Sequence, residues 1–528
     1  MTQPKPKSEK YHDLITDIRR GYIKLPKFQR DFVWDMEQTT KLLDSIIKGY
    51  PIGTFILWKT RERLGEVKNI GNMKFPETPA GDSVKYVLDG QQRLASLFAV
   101  LEGLEIEKEN KIVNYKNIFL NLDKEINNDE QIITAEKPVG NNCISVYDLL
   151  SKEDISYFLD NYRDYINKIQ NYREKFRTYD FSTIEILDYP IDTAVEIFTR
   201  INTTGTELTL FEIMVAKTYD EARGFDLHEK YEQLDDELSN IKYDTIPSST
   251  ILQCLSLNLT GECTRRVILK LNKEDIINIW DETIKGIKEA IDYFRTLYRI
   301  PVSRLLPYNA LIVPFSYFFF KNKDRPNSEQ EELLKEYFWC SSLTYRFQSA
   351  VETKLGQDAK SIDMILNNKK PKYDFKPMLD TEVIKNYGFN AGDSFCKAIL
   401  CLYAQFKPES FKNGSAVILD NSWLIQSNSR NYHHFFPKAY LKKQKIENEN
   451  SIINITLVDD YLNKREIRAK APSEYLKKFK ETNKKLDSTM ETHLIDNLGE
   501  YGVWEDNYDK FLDKRTERVT EELRKRIG

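Results

Sequence analysis

Two adjacent histidines do most to limit what the C-terminal part of this 528-residue chain can fold into. The chain reads Asn431-Tyr432-His433-His434-Phe435-Phe436-Pro437-Lys438, then Ile453-Asn454-Ile455-Thr456-Leu457, then Leu462-Asn463-Lys464-Arg465, and it holds only five histidines in all. Neighbouring side chains on a strand point to opposite sides, so one imidazole can face a cation while the other faces water. A small unit of two strands and a helix around a divalent ion needs this order. It takes a ligand and a base at a strand end, an asparagine to brace the turn, and a last ligand from the following helix. We therefore expect His433 as metal ligand, His434 as general base and Asn454 as the brace. Asn463 is the second ligand, with Lys464 in support. Such a mixed N/O shell suits Mg²⁺ or Mn²⁺ rather than tightly held zinc. A neutral imidazole and a hard cation beside a phosphate point to phosphodiester cleavage.

A chain of this length exceeds what one hydrophobic core serves, so two or three domains are expected. With 41% hydrophobic and 30% charged residues it reads as soluble and globular. Met1 to Lys10 is polar and basic with no apolar stretch behind it, so no signal peptide is expected. The longest apolar run, Ala310 to Phe320, is broken by Pro314 and Ser316. It is too short to span a bilayer, so no membrane association is expected. The six cysteines (Cys143, Cys254, Cys263, Cys340, Cys396, Cys401) lack CxxC spacing. That argues against a zinc cluster or disulfide framework and for a reducing cytoplasm. The net charge of −4 argues against a protein that coats nucleic acid by bulk attraction. Asn431 to Lys485, however, carries 13 Lys+Arg against 7 Asp+Glu, a local basic surface suited to a phosphate backbone.

The first third reads as mixed α/β. Helices are expected over Tyr11 to Arg20, Glu37 to Gly49 and Leu94 to Leu104. Strands are expected over Thr54 to Trp58, Lys85 to Leu88 and Ile118 to Leu122. From about Val146 the pattern turns helical, and Asp226 to Asn390 is almost wholly helix-like. Tyr508 to Ile527 reads as a charged amphipathic helix.

At Val87-Leu88-Asp89-Gly90-Gln91-Gln92-Arg93-Leu94 a strand turns sharply into a helix. Such a turn gathers backbone N–H groups and the positive end of the helix dipole at one point, where phosphate binds readily. Gly90 relieves the turn, Arg93 can pair with phosphate oxygens, and Asp89 can hold a metal or position a water. Alone, a strand–Asp-Gly turn is commonly a plain connection. The string gains meaning beside Pro26-x-Phe28-Gln29-Arg30-x-Phe32-Val33-Trp34 and Ile197-Phe198-x-Arg200-Ile201-Asn202-x-x-Gly205-Thr206-x-Leu208. In this order the three motifs resemble the N-terminal ParB-like domain of the GmrSD family of modification-dependent (Type IV) restriction proteins, over roughly Tyr11 to Ala222. The resemblance implies NTP binding and hydrolysis (GTP, ATP or another) and sensing of modified DNA. It assigns Asp89, Gly90, Gln91, Gln92 and Arg93 to the nucleotide site, with Gln29 and Arg30 beside it. Asn202 and Gly205 are either support for that site or a scaffold turn capping the next helix.

The histidine segment, with Asn-Ile-Thr-Leu, Asn-Lys and Ala471-Pro472-Ser473-Glu474-Tyr475-Leu476, resembles the C-terminal HNH (ββα-metal, His-Me finger) domain of the same family. Two departures are Phe435, where relatives more often have Ile, and Arg468-Ala469-Lys470, where Asn-Lys is commoner. Between the two regions, Tyr345-Arg346-Phe347-Gln348-Ser349-Ala350 and Glu352-x-Lys354-Leu355-x-x-Asp358 resemble the helical linker of these proteins and read as helix packing with exposed charges.

The expected fold is thus α+β, multidomain and mostly helical. It comprises a ParB-like α/β domain over 1–225, a helical connector over 226–390 and an HNH nuclease domain over 391–528. The expected partners are DNA, in particular modified phage DNA, and a nucleoside triphosphate. One HNH centre nicks one strand, so a double-strand cut needs a homodimer or two successive nicks. Two rival readings are a DNA-binding NTP switch with an inactive nuclease fold, and a toxin-like nuclease acting on RNA or unmodified DNA.

Overall fold

Val84-Lys85-Tyr86-Val87-Leu88-Asp89 alternates side chains between two faces, and both faces are covered. Val87, with Phe55, Leu57 and Phe181, lies in one apolar core, while the tilted rings of Trp58 and Tyr86 meet at 5.7 Å on the opposite side. In this computed structural model the described residues are 3–26, 32, 34–64, 70, 76–79, 81–108, 111–126, 130–137, 142–201, 209–220, 222–421, 424, 432–458 and 467–527. The chain divides into two compact units, Met1–Leu227 and His228–Gly528. It is mixed α+β, with a sheet-bearing first unit and a largely helical second.

The first unit runs β1 (Lys5–Lys10), α1 (Tyr11–Arg19), β2 (Ile23–Lys24), α2 (Met36–Ile47), β3 (Phe55–Thr60), β4 (Val84–Asp89) and α3 (Gln91–Glu102). A hairpin β5–β6 (Glu105–Lys108, Lys111–Asn114) and a small sheet of β7 (Phe119–Asn121), β8 (Ile133–Thr134) and β9 (Cys143–Ser145) follow. The last strand is β10 (Asp180–Leu187). The main sheet has the order β1-β10-β3-β4-β2. β10 runs parallel to β3 and antiparallel to β1, and β3 runs antiparallel to β4.

Within the main sheet, β1 and β10 depart most from the expected pattern. β1 lies in the polar N-terminal segment, where its lysines and Pro6 suit an edge strand. β10 lies inside the stretch expected to be helical. Its Phe181, Thr183, Ile184 and Ile186 favour a pleated strand, but Glu185 breaks the apolar pattern. That carboxylate is only 1% exposed and is held by Lys7 and by Lys85 at 3.5 Å. Lys85 also binds Glu9 at 3.0 Å and Asp17 at 3.1 Å.

In the second unit the long helix Lys273–Thr296 packs on the buried helix Ile312–Lys321. Phe294, Tyr298, Phe315 and Phe338 form a ring cluster beside it, with centroids 4.7 to 6.3 Å apart. Two charges of the Tyr345–Asp358 motif, Arg346 and Asp358, are not on the surface as expected. Arg346 pairs with Asp358 at 2.7 Å, both are buried, and Tyr337 donates to Asp358 at 2.8 Å. Asp374, at 3.0 Å from Arg346, closes on the pair as well, and helical spacing alone reveals neither it nor Tyr337. The C-terminal helix Tyr508–Ile527 packs on the helix Ser328–Ser342 of the same unit. Among the described residues no helix is long and apolar enough to cross a membrane.

Candidate functional sites

The two histidines sit on β11 (Tyr432–His434), which pairs antiparallel with β12 (Ile455–Leu457). His433 lies opposite Thr456, and His434 lies opposite Ile455. Strand alternation sends the rings to different sides. His433 is 2% exposed and meets the rings of Phe411 and Tyr475, with centroids 6.2 and 6.4 Å away. His434 keeps partial access to solvent and lies 6.4 Å from Phe389, which also meets Tyr432.

His434 Nε2 stands 3.1 Å from Oδ1 of Asn450, whose own amide nitrogen donates to the Phe389 carbonyl at 3.0 Å. The second bond settles which way the carboxamide faces. An oxygen accepts only, so Nε2 carries the proton and the Nδ1 lone pair is left to accept one. Burial pulls the imidazole down to about 4, opposed by the Asn450 bond, with Lys438 lowering it further and Glu449 raising it. The ring is therefore uncharged at neutral pH. Sequence reading missed Asn450, because nothing in its spacing shows that the turn folds it onto His434.

Asn454 is fully buried and ties the turn together. Its Nδ2 donates to the carbonyls of Phe436 at 2.9 Å and Glu449 at 3.2 Å, while its Oδ1 accepts the Phe436 amide at 2.9 Å. Its own carbonyl accepts the Phe435 amide at 2.8 Å, and Tyr475 donates its hydroxyl to the Phe435 carbonyl at 2.7 Å. The segment after His434 is thus held from both sides.

Asn463 and Lys464 lie outside the described residues. Among the described residues no group of three or more His, Cys, Asp or Glu side chains could hold a metal ion. Of the expected ligand pair, only His433 lies among the described residues. An imidazole paired with a carboxamide would suit a weakly held cation keeping several waters better than a caged one.

In the first unit β4 ends at Asp89, Gly90 adopts φ +92°, and α3 begins at Gln91. Arg93 is engaged by the protein itself. It donates to the carbonyls of Ile52 at 2.7 Å and Thr54 at 3.1 Å, pairs with Asp89 at 3.1 Å, and lies 5.1 Å from the centre of the Phe55 ring. Glycine is required on both sides of this arrangement. A Cβ on Gly53 would meet Arg93 Nη1 at 2.3 Å, and one on Gly90 would meet the Phe55 ring at 2.5 Å. Gln91 and Gln92 are buried, and the Gln92 side chain accepts the Trp34 amide at 3.2 Å. That bond brings the first and second motifs together. Gln29, Arg30, Asn202 and Gly205 lie outside the described residues. The helix Ile191–Ile201, with Phe198 buried, packs against β4.

Residues 11–219 match the family model described as the N-terminal domain of the GmrSD restriction endonuclease, so the chain carries a GmrSD-like N-terminal domain. Over 97% of its own length and 97% of the relative's, the chain is 24% identical to the uncharacterized protein MJ0686 of Methanocaldococcus jannaschii.

Proposed function

We propose that this chain is a modification-dependent DNA endonuclease of anti-phage defence, in which an NTP-binding first unit controls metal-dependent strand cleavage at β11–β12. The match of residues 11–219 to a restriction-endonuclease domain supports the substrate class. One observation carries the chemistry: an uncharged imidazole at a strand end, its Nε2 proton committed to Asn450 and the following turn locked by Asn454. His434 takes a proton from water through Nδ1, and Asn454 keeps the strand end in place while it does so. A phosphate brought to the site favours the imidazolium and raises the affinity of the ring for that proton. His433 and Asn463 would hold Mg²⁺ or Mn²⁺, which when bound supplies positive charge for the leaving oxygen.

In the first unit the proposed nucleotide site comprises Asp89 to Arg93 with Gln29 and Arg30. Arg93 serves there as the brace of the turn, since its guanidinium already holds two carbonyls and Asp89. The phosphate is then left to the backbone amides that open α3.

The deciding assay compares matched modified and unmodified phage genomes, with and without each NTP and Mg²⁺. Cleavage confined to modified DNA and lost in His434→Ala is expected. Metal-dependent cutting that survives His434→Ala rules out the assigned base. Cutting of both genomes alike points instead to a general nuclease.

A further inference from the structure

We propose that Arg515, on the C-terminal helix, is the positioning residue that sets the turn carrying Asn454. The proposal rests on the nuclease reading of β11–β12. Arg515 is 0% exposed, and its partners are backbone carbonyls rather than carboxylates. Nη1 donates to the carbonyl of Ile453 and, at 2.7 Å, to that of Ile455. Nε and Nη2 both reach the His493 carbonyl, at 3.2 and 3.0 Å, and the Tyr403 ring centre lies 4.6 Å from the guanidinium.

The residues it grips are the two neighbours of Asn454. Ile452–Asn454 forms a single 3-10 turn that opens into β12 at Ile455. Across this turn-to-strand junction the carbonyls of Ile453 and Ile455 turn to Arg515, and that of Asn454 turns to the Phe435 amide just past β11. Holding the outer two carbonyls therefore fixes the middle peptide, and with it the side chain that clamps Phe436. The same helix stacks Phe511 on Phe435 at 4.8 Å and 6°, and sets Tyr508 5.2 Å from Phe436. One helix thus braces the segment that follows β11 and the start of β12. A fully buried cation with no acidic partner among the described residues is costly to keep. A planar fork that meets three carbonyls cannot be replaced by a lysine, which is a point charge.

Arg515→Lys and Arg515→Met are read in two ways. The first needs no activity: amide exchange over residues 432–437, followed by mass spectrometry, reports the Phe435 and Phe436 hydrogen bonds directly. Both variants are expected to exchange faster there, with the helix Lys273–Thr296 unchanged. The second is metal-dependent DNA cleavage, where kcat is expected to fall about 10–100-fold with KM for DNA unchanged. Adding Asn454→Ala to either variant should cost no more than Asn454→Ala alone. If Arg515→Met does not fold, Arg515→Lys decides. Unchanged exchange over 432–437, a rise in KM at constant kcat, or losses that multiply in the double variant each overturn the proposal. Loss of the nuclease reading through an active His434→Ala variant leaves the exchange result standing, so the two failures are separable.

Discussion

Asp89 and Arg93 face each other across 3.1 Å at the start of α3, and the same guanidinium spans to the carbonyls of Ile52 and Thr54 in the segment leading into β3. The salt bridge closes the β4–α3 turn on itself, and the two carbonyl bonds tether that turn to the segment entering β3. Arg93→Ala is therefore expected to destabilise the first unit by about 2–4 kcal/mol, since it strands two acceptors and one carboxylate. Arg93→Lys should recover part of this, keeping the ion pair but not the fork. Chemical denaturation monitored over the first unit checks it. An Arg93→Ala protein as stable as wild type would mean the tethers carry no weight in solution.

Asn450→Asp places a carboxylate against His434 Nε2. A negative neighbour favours the imidazolium, so the acid limb of the cleavage profile is expected to move to higher pH. In the wild type that limb lies well below the ordinary 6.5 of histidine, because burial holds His434 at about 4. The other charges near the ring, Lys438 and Glu449, oppose each other. Profiles of kcat against pH for both proteins are the measurement, and a limb that stays in place or moves down counts against Asn450 as the partner of the base.

Burial also holds His493 down, at about 3, with its Nε2 2.7 Å from the Glu409 carbonyl. An imidazole exposed in the unfolded chain takes up a proton near 6.5, so unfolding is favoured as pH falls below that value. The contribution of His493 is complete above pH 6.5 and is lost progressively toward pH 3. It is on the order of a few kcal/mol, and His434 adds to the same trend down to about 4. Melting temperatures of the second unit should decline from pH 6.5 downward, before most carboxylates titrate. His493→Gln should flatten that slope, and an unaltered slope would show that this ring does not report the transition.

Removing Asp358 takes the buried partner from the buried Arg346, which keeps Asp374 at 3.0 Å and Gln357 at 3.1 Å, and strands the Tyr337 hydroxyl. Asp358→Ala is expected to cost about 3–5 kcal/mol, whereas Arg346→Met combined with Asp358→Leu should recover much of that loss. Urea denaturation of the three proteins distinguishes a buried pair from the surface charges expected of the motif. Equal, small effects would favour the surface description.

Local chemistry was legible in the residues themselves. β-branched and aromatic alternation marked β3 and β4, the Asp-Gly turn marked the start of α3, and the His-His and Asn454 positions marked a strand pair with a braced turn. Periodicity works there because it reports which face of one element is apolar. The fold alone decided where polar groups could be interior. β10 escaped notice because Glu185 interrupts its pattern, and that carboxylate is tolerated only because Lys7 and Lys85 arrive from other strands. Asn450 meets His434, and Arg515 meets the carbonyls beside Asn454, through chain closures of 16 and 60 or more residues. Hydrogen bonds and ion pairs depend on where partners come to rest in space. Sequence order determined the candidate chemistry, and tertiary packing decided which side chains hold it in place.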